Sequence, residues 1–211
     1  MKPACRAAAR PRRTTAAIFR AASYFFLALG ILALSYAGYV VLDARAYQAY
    51  EQSKFENVSP GQTLSPPLVE GGVIGEIQVR RLHLKAIVVQ GSSHTILRRA
   101  VGHIPETSLP GEPGNVALAG HRDTFFRPLR NIRLGDAITL KTPDGAFQYV
   151  VESTAVVAAS EVGVLASSDG RTLTLITCFP FNYLGSAPNR FVVRARELLS
   201  PSPEPLSPSP R

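Results

Sequence analysis

The apolar residues of the chain are arranged in two different patterns, one continuous and one interrupted. Residues 21–42 form an uncharged stretch of 22 residues between Arg20 and Asp43. At a rise of about 1.5 Å per residue, a helix of this length crosses the roughly 30 Å hydrocarbon core of a bilayer. From residue 73 onward the apolar residues occur in short runs between glycine, proline and polar residues, which is typical of β-strands. We therefore predict one transmembrane helix and a separate all-β domain.

The predicted strands of the β domain are short and separated by turns. They cover residues 73–80, 82–89, 115–120, 137–140, 147–157, 171–177 and 190–196. The sequence Thr-Pro-Asp-Gly at 142–145 is a hairpin turn signal between two of them. Residues 92–101 are compatible with one short helix, and residues 102–114, rich in proline and glycine, are predicted as a long loop. Seven or so short strands without long helices indicate a closed or nearly closed β-barrel.

The segments that flank these two parts are polar. Residues 43–57 can continue the membrane helix as a stem, whereas residues 59–72 are rich in proline and glycine and indicate a linker. The C-terminal residues alternate serine with proline, which predicts a disordered tail. The predicted organisation is therefore a basic tail at 1–20, a membrane anchor at 21–42, a stem and linker at 43–72, a β domain at 73–198 and a disordered tail at 199–211.

The net charge of +8 is concentrated at the N-terminus. Positions 1–20 hold six basic residues and no acidic residue, which leaves 17 basic and 15 acidic residues for the rest of the chain. A basic flank on the N-terminal side of an apolar span places that side in the cytoplasm, so the β domain is predicted to lie outside the cytoplasmic membrane. A cleaved signal peptide, with a weak cleavage site at 35–37, is the alternative, but its apolar core is usually only about 7–15 residues long. The β domain itself carries no nucleic-acid footprint.

The two cysteines lie on opposite sides of the membrane in this topology. Cys5 is in the basic tail, and Cys178 is in the β domain, where the strand predicted at 171–177 ends. Cys178 is thus a free thiol in a compartment where structural thiols are usually oxidised in pairs. Chemical reactivity is the usual reason for such a thiol, and a buried cysteine that packs as a small apolar side chain is the alternative.

A histidine and an arginine lie at strand ends that can come close to Cys178. His121 follows the strand 115–120, and Arg190 begins the strand that comes next after Cys178. The intervening residues 179–189 contain two prolines and a glycine, so they form a loop that places the two strands side by side, about 4.8 Å apart. His121 is the candidate base for the thiol. Arg190 cannot be a base, but it can stabilise a substrate carbonyl or an oxyanion.

Each of these candidates also has a less specific interpretation. His121 can simply hydrogen-bond a loop, and Arg190 can be one of three solvated arginines that alternate along its strand. His103 precedes the predicted long loop and is a weaker candidate for the base. His83 and His94 have the character of ordinary surface or strand residues.

No metal or cofactor is predicted. The four histidines and the external thiol show no ligand spacing, and the chain has no glycine-rich phosphate loop. Glu106, Glu112 and Asp123 are weak candidates for Ca²⁺ ligands, for which a solvated loop is the preferred interpretation. Asp123 is also a weak candidate for a third catalytic residue that orients His121, since it lies two positions further along.

Three segments of the chain resemble those of sortases, the membrane-anchored cysteine transpeptidases that attach proteins to the cell surface. They are TLITC at 174–178, AGHRDTFFRPL at 119–129 and APNRFVVRA at 187–195, and the second is most similar to class D sortases. The resemblance spans about residues 72–197. It implies an eight-stranded β-barrel with one or two short helices, preceded by the transmembrane helix. It also implies that Cys178 is the nucleophile, His121 the general acid and base, and Arg190 the residue that stabilises the intermediates, with Thr177 and Phe179 as substrate contacts.

The resemblance further implies a two-step reaction. The Cys178 thiolate attacks the Thr–Gly bond of an LPxTG-like C-terminal sorting motif, and an amine of a cell-wall peptide or a pilin lysine then resolves the thioester. The expected location is the cytoplasmic membrane, with a single pass and the N-terminus in the cytoplasm, and no nucleic-acid partner is expected. The alternatives are a cysteine peptidase that mainly hydrolyses the acyl-enzyme, and a membrane-anchored β-barrel that binds peptides without turnover.

Overall fold

The computed structural model describes residues 12–56, 69–183 and 185–198, and the chain divides into two compact units, residues 1–43 and 44–211. One helix, α1 (Arg12–Glu56), forms the described part of the first unit and ends in the second. Its portion Ala17–Lys54 is long and apolar enough to cross a membrane, and a window of 18 residues within it has a mean hydropathy of 2.1. The helix continues without a break through residues 43–56, where the sequence predicts that a stem can extend it.

Several predictions fall outside the described residues. These are the predictions for residues 1–11 of the basic tail, with Cys5, for residues 57–68 of the linker, and for the serine- and proline-rich tail from residue 199. They stay predictions.

The second unit contains a closed eight-stranded barrel with the strand order β1-β2-β3-β4-β7-β8-β6-β5. The pairs β2–β3 and β4–β7 are parallel, and the other pairs are antiparallel. The strands are β1 (Val73–Val79), β2 (Leu84–Gln90), β3 (Val101–His103), β4 (Gly114–Ala119), β5 (Ala137–Thr142), β6 (Gly145–Ala158), β7 (Arg171–Phe179) and β8 (Asn189–Glu197). The predicted barrel is confirmed.

The structure differs from the sequence prediction around residues 80–103. Strand β3 was not predicted, because three residues are too few to show an alternation of apolar and polar side chains. The helix predicted at 92–101 is limited to α2 (His94–Leu97). A 3₁₀ helix, Arg80–Leu82, separates β1 from β2, so β2 begins at Leu84 and not at residue 82. Two further 3₁₀ helices are present at Arg127–Asn131 and Val162–Leu165.

The last turns of α1, which belong to the second unit, are hydrogen-bonded to the barrel through the Gln48 side chain. The Gln48 amide accepts a hydrogen bond from the Ile87 backbone at 2.8 Å and donates one to the Arg99 carbonyl at 2.7 Å. Gln48 therefore links strand β2 to the segment between α2 and β3.

The alternation of side chains along β7 and β8 decides which residues face the barrel interior. Leu173 and Leu175 lie opposite Ala195 and Val193, and all four are fully buried in the main core. Since successive side chains of a strand point to opposite faces, the odd-numbered residues of β7 point inward and the even-numbered residues point outward. Full burial of a leucine side chain contributes about 1.5–3 kcal/mol, and a slip of one residue would expose both leucines, so the register is strongly specified.

Candidate active site

Cys178 and Arg190 lie directly opposite each other on the antiparallel strands β7 and β8. Both are even-numbered and therefore project from the outer face of the barrel, where each is partly buried. Directly opposite residues of an antiparallel pair have Cβ atoms about 4.5–5.5 Å apart and share one face. The Cys178 thiol is free. Strand β7 ends at Phe179, two residues beyond the end predicted from the sequence, so Cys178 lies within the strand.

His121 is positioned by β4, which runs parallel to β7. Ala119 is the register partner of Ile176, and the Gly120 amide donates to the Ile176 carbonyl at 3.1 Å. Continuing this register by two residues brings His121 level with Cys178. The strand order β4-β7-β8 therefore places Cys178 on the middle strand, between His121 and Arg190.

The backbone before His121 is fixed from the barrel interior. Thr177 points inward, is only 2% exposed, and donates through Oγ1 to the Gly120 carbonyl at 2.7 Å. A Cβ on Gly120 would come within 2.7 Å of the Phe126 ring, so glycine is required for this close approach. The Phe126 amide donates to the His121 carbonyl at 3.0 Å. The Thr177 hydrogen bond holds the turn that carries His121, and a contact of Thr177 with substrate stays a prediction.

The electrostatic environment of His121 favours the neutral ring. Burial is the largest influence and lowers its pKa from the ordinary value of 6.5. The exposed carboxylate of Asp123 opposes this shift, whereas the positive charges of His94 and Arg122 lower the pKa further. At neutral pH the ring is therefore mostly unprotonated and is able to accept a proton.

Arg190 is held by the loop that precedes it. Its Nη1 donates to the carbonyls of Ala187 at 3.2 Å and Asn189 at 3.0 Å. These two bonds use one nitrogen of the guanidinium, which carries five N–H groups in all. The Arg190 side chain is thus oriented by its loop, and its guanidinium carries further N–H donors besides those in these two bonds.

Arg122, which the sequence did not single out, braces the same loop. Its Nη2 donates to the carbonyls of Tyr183 at 2.5 Å and Gly185 at 3.0 Å, and its guanidinium carbon lies 5.9 Å from the centre of the Tyr183 ring. Because Arg122 follows His121 directly, it couples the turn after β4 to the loop between Cys178 and Arg190. The only sequence signal for this role is its place beside His121.

Phe179, the other predicted substrate contact, belongs to an aromatic cluster. Its ring lies 6.0 Å from that of Phe181 and 6.4 Å from that of Phe191, and the latter two are 5.4 Å apart. Phe181 and Phe191 pack against the main core. By the alternation of β7, Phe179 points to the face opposite Cys178. A direct contact of Phe179 with substrate stays a prediction. In the structure the Phe179 ring packs with Phe181 and Phe191.

The other three histidines have different surroundings. His103 is buried and hydrogen-bonded, and His83 is exposed after the 3₁₀ helix Arg80–Leu82. His94 lies in the site itself, because its ring is 5.7 Å from that of His121. The sequence interpretation of His94 as an ordinary surface or strand residue missed this contact, which depends on where the fold places α2.

The acidic residues that were weak Ca²⁺ candidates form no cation site among the described residues. Among residues 12–56, 69–183 and 185–198, no group of three or more His, Cys, Asp or Glu side chains that could hold a metal ion is found. Glu112, one of the weak Ca²⁺ candidates, instead accepts a hydrogen bond from the Leu109 amide at 2.8 Å within its own loop.

A closed barrel that pairs a free cysteine with an arginine and has a histidine just after the end of the flanking strand is the arrangement of a barrel-type cysteine transpeptidase. Residues 77–198, more than half of the chain, match the sortase domain family. The chain therefore belongs to the sortase family of cysteine transpeptidases.

Individual relatives support the predicted likeness to class D. The chain is 25% identical over 190 residues to sortase D of Bacillus subtilis. The match covers 82% of this chain and 96% of that protein. It resembles the solved structure of a sortase D5 transpeptidase from Clostridium perfringens with 28% identity and a TM-score of 0.63, over 73% of this chain and 97% of that one. It also resembles a sortase C from Clostridium perfringens, solved with the C-terminal cell wall sorting motif, with 26% identity and a TM-score of 0.58, over 75% and 87% of the two chains.

Proposed function

We propose that this sortase cleaves an LPxTG-like C-terminal sorting motif through a thioester on Cys178 and transfers the acyl group to an amine. The observation that carries this proposal is the direct pairing of Cys178 with Arg190 on the outer face, with His121 two residues after the end of the flanking strand β4. The sortase C structure with a sorting motif supports the class of substrate.

In the first step, neutral His121 accepts the thiol proton and the Cys178 thiolate attacks the threonine carbonyl carbon of the Thr–Gly bond. The carbonyl electron pair moves to the oxygen, and Arg190 donates hydrogen bonds to the resulting oxyanion. Collapse of this intermediate breaks the C–N bond, and His121 returns its proton to the glycine amine. The products are a thioester on Cys178 and a free C-terminal fragment.

In the second step, an amine attacks the thioester carbonyl and His121 accepts the proton that the amine loses. Arg190 stabilises the second oxyanion, and the Cys178 sulfur leaves and regains a proton from His121. The acceptor amine belongs to a cell-wall peptide or to a pilin lysine. Water in place of the amine gives hydrolysis, which is the reaction of the rival peptidase.

The proposed location is the cytoplasmic membrane, with a single pass, the N-terminus in the cytoplasm and the barrel outside. The apolar helix α1 and the six basic residues within positions 1–20 support it. In this arrangement residues 73–198 are the catalytic domain, residues 43–72 are its stem and linker, and secreted proteins with a sorting motif are the partners.

The decisive experiment is intact-mass analysis of the full chain in detergent micelles with an LPxTG-type peptide. A Cys5→Ser background removes the only other thiol, and Cys178→Ala in that background is the matched control. We expect an adduct equal in mass to the peptide up to its threonine, absent in Cys178→Ala and converted to an amide product by an added amine.

The other outcomes identify the rivals. An adduct that only water resolves, whichever amine is added, would establish the peptidase. Peptide binding that is equal in the parent and in Cys178→Ala, without any adduct across a panel of sorting peptides, would establish the non-catalytic barrel.

A further inference from the structure

His94 lies against the ring of the proposed base. The two imidazole centres are 5.7 Å apart and the ring planes meet at 70°, an edge-to-face contact. His94 is exposed at the start of α2, and His121 is half-buried after the end of β4. Two imidazole rings are therefore in direct contact at the edge of the site.

The topology of the barrel explains this contact. Strands β3 and β4 are antiparallel, and Gly102, the middle residue of β3, pairs with Ala119 at the end of β4. The residues just before β3 therefore lie beside the residues just after β4. Helix α2 precedes β3 and His121 follows β4, so the pairing brings His94 and His121 together.

Tight backbone packing holds α2 in this place. A Cβ on Gly102 would come within 2.2 Å of the Gly91 carbonyl oxygen and 3.0 Å of a Leu97 methyl group. Gly91 has a φ of +100°, a conformation that favours glycine, and its amide donates to the His103 carbonyl at 3.0 Å. The helix that carries His94 is thus packed directly on β3.

We propose that His94 is a positioning residue for His121, which it orients by ring contact and keeps unprotonated in mild acid by its own positive charge. The proposal rests on the role of His121 as the base. Edge-to-face packing fixes the plane of the His121 ring. Protonation of His94 places a positive charge on a ring whose centre is 5.7 Å from that of His121, and this charge opposes protonation of His121.

Apart from the Cys178 thiol, with which His121 exchanges its proton in the proposed reaction, the other charged residues around His121 keep their charge near neutral pH. Arg122 follows it in the chain, Asp123 is one residue further, and Arg190 lies on strand β8 across β7. Arginine is always protonated and an ordinary aspartate is ionised above about pH 4. Histidine is the residue type that changes charge between about pH 5 and 8, so His94 is the variable influence on His121. Its effect is to extend proton acceptance by His121 to lower pH.

The test is a histidine-selective NMR titration of the full chain in detergent micelles. The chain has only four histidines, so single variants assign every signal. His94→Phe keeps an aromatic ring but removes the charge, and His94→Arg makes the charge permanent. We expect the pKa of His121 to rise by about 0.5 to 1 in His94→Phe and to stay low in His94→Arg. His83→Phe is the matched control and leaves the titration of His121 unchanged.

The same variants predict a movement of the kcat/KM profile against pH. The acid limb should move upward in His94→Phe by the same amount as the His121 titration, which a merely structural role of His94 would not produce. An unchanged His121 titration in both His94 variants would overturn the proposal. A shifted titration together with full activity in His121→Ala would instead leave the ring coupling intact and reject His121 as the base.

Discussion

Two histidines, His103 at the end of β3 and His121 just after the end of the paired strand β4, have different hydrogen-bond surroundings. Each follows a glycine, and burial is the largest influence that lowers the pKa of each. In His103, Nδ1 lies 2.8 Å from the Gln90 side-chain amide and Nε2 donates to the Ser108 carbonyl at 3.0 Å. In the part of the chain that the structure describes, no hydrogen bond to the His121 ring nitrogens is found.

This difference is the one expected between a structural histidine and the proposed base. Both nitrogens of His103 have partners, so a proton transfer there would break a buried network. His121 is instead held by its backbone and by the ring of His94, and its nitrogens are left for proton exchange. Burial alone lowers both pKa values and does not distinguish the two residues, whereas the hydrogen-bond partners do.

The largest expected effect is the loss of activity in His121→Gln. His121→Gln should lower kcat/KM by about 100- to 10,000-fold, because a general acid–base residue typically contributes this much. The change should alter the free energy of unfolding by no more than about 1 kcal/mol, since the ring is only half-buried. Steady-state kinetics and urea unfolding of the full chain in micelles measure both quantities.

The matched variant is His103→Gln, for which the opposite result is expected. Loss of the bonds to Gln90 and Ser108 should cost about 1–3 kcal/mol of unfolding free energy, while the folded fraction keeps its activity within a few-fold. If His103→Gln abolished turnover in a fully folded protein, the division between structural and reactive histidine would be wrong.

The acid sensitivity of folding is the next effect in size. The pKa of His103 is lower in the folded chain than the ordinary value of 6.5, which applies in the unfolded chain. Between these two pKa values the unfolded chain therefore binds a proton at His103 that the folded chain does not bind. Stability is therefore fully present above about pH 6.5 and falls as the pH decreases below it, with a slope of up to about 1.4 kcal/mol per pH unit for one buried histidine. His103→Gln should flatten this slope in urea unfolding measured between pH 7 and 5.

Glu197 changes the stability with pH in the direction opposite to His103. Burial raises its pKa above the ordinary 4.5, so it favours the folded state as the pH falls and acts in the opposite direction. It is unchanged in the variant, and the difference between the two slopes therefore reports His103. Identical slopes in the two proteins would show that His103 does not contribute to acid sensitivity.

Strand ends made the main elements of the site predictable from the sequence. The runs that end near His121 and Cys178 and begin at Arg190 are long and apolar enough to be recognised, and the loop 179–189 implies that β7 and β8 are neighbours. The inward direction of Thr177 was also accessible, because Leu173 and Leu175 set the alternation. The substrate role of Thr177 is implied by the motif and stays a prediction.

The contacts that depend on the three-dimensional arrangement could not be predicted. The pairing of β3 with β4, which brings His94 to His121, involves a strand of only three residues. The bonds of Arg122 to the loop carbonyls join residues about 60 positions apart through backbone atoms, which carry no residue-specific signal. Such contacts follow from strand order, and a single sequence does not give strand order for strands this short.

The smallest expected effect tests how the backbone holds His121. Thr177→Val keeps the side-chain shape but removes the bond from Oγ1 to the Gly120 carbonyl, and should cost about 1 kcal/mol of unfolding free energy. Because this bond lies next to His121, kcat/KM should also fall, by about tenfold, as the proposed base moves from its position beside Cys178.

Thr174→Val is the matched control, since Thr174 is equally buried on the same strand and donates to the Asn115 side chain at 2.7 Å. It should lose similar stability but retain its activity, because it lies four residues from Cys178. Equal activity losses in the two variants would mean that the barrel as a whole, and not the bond to Gly120, sets the position of His121.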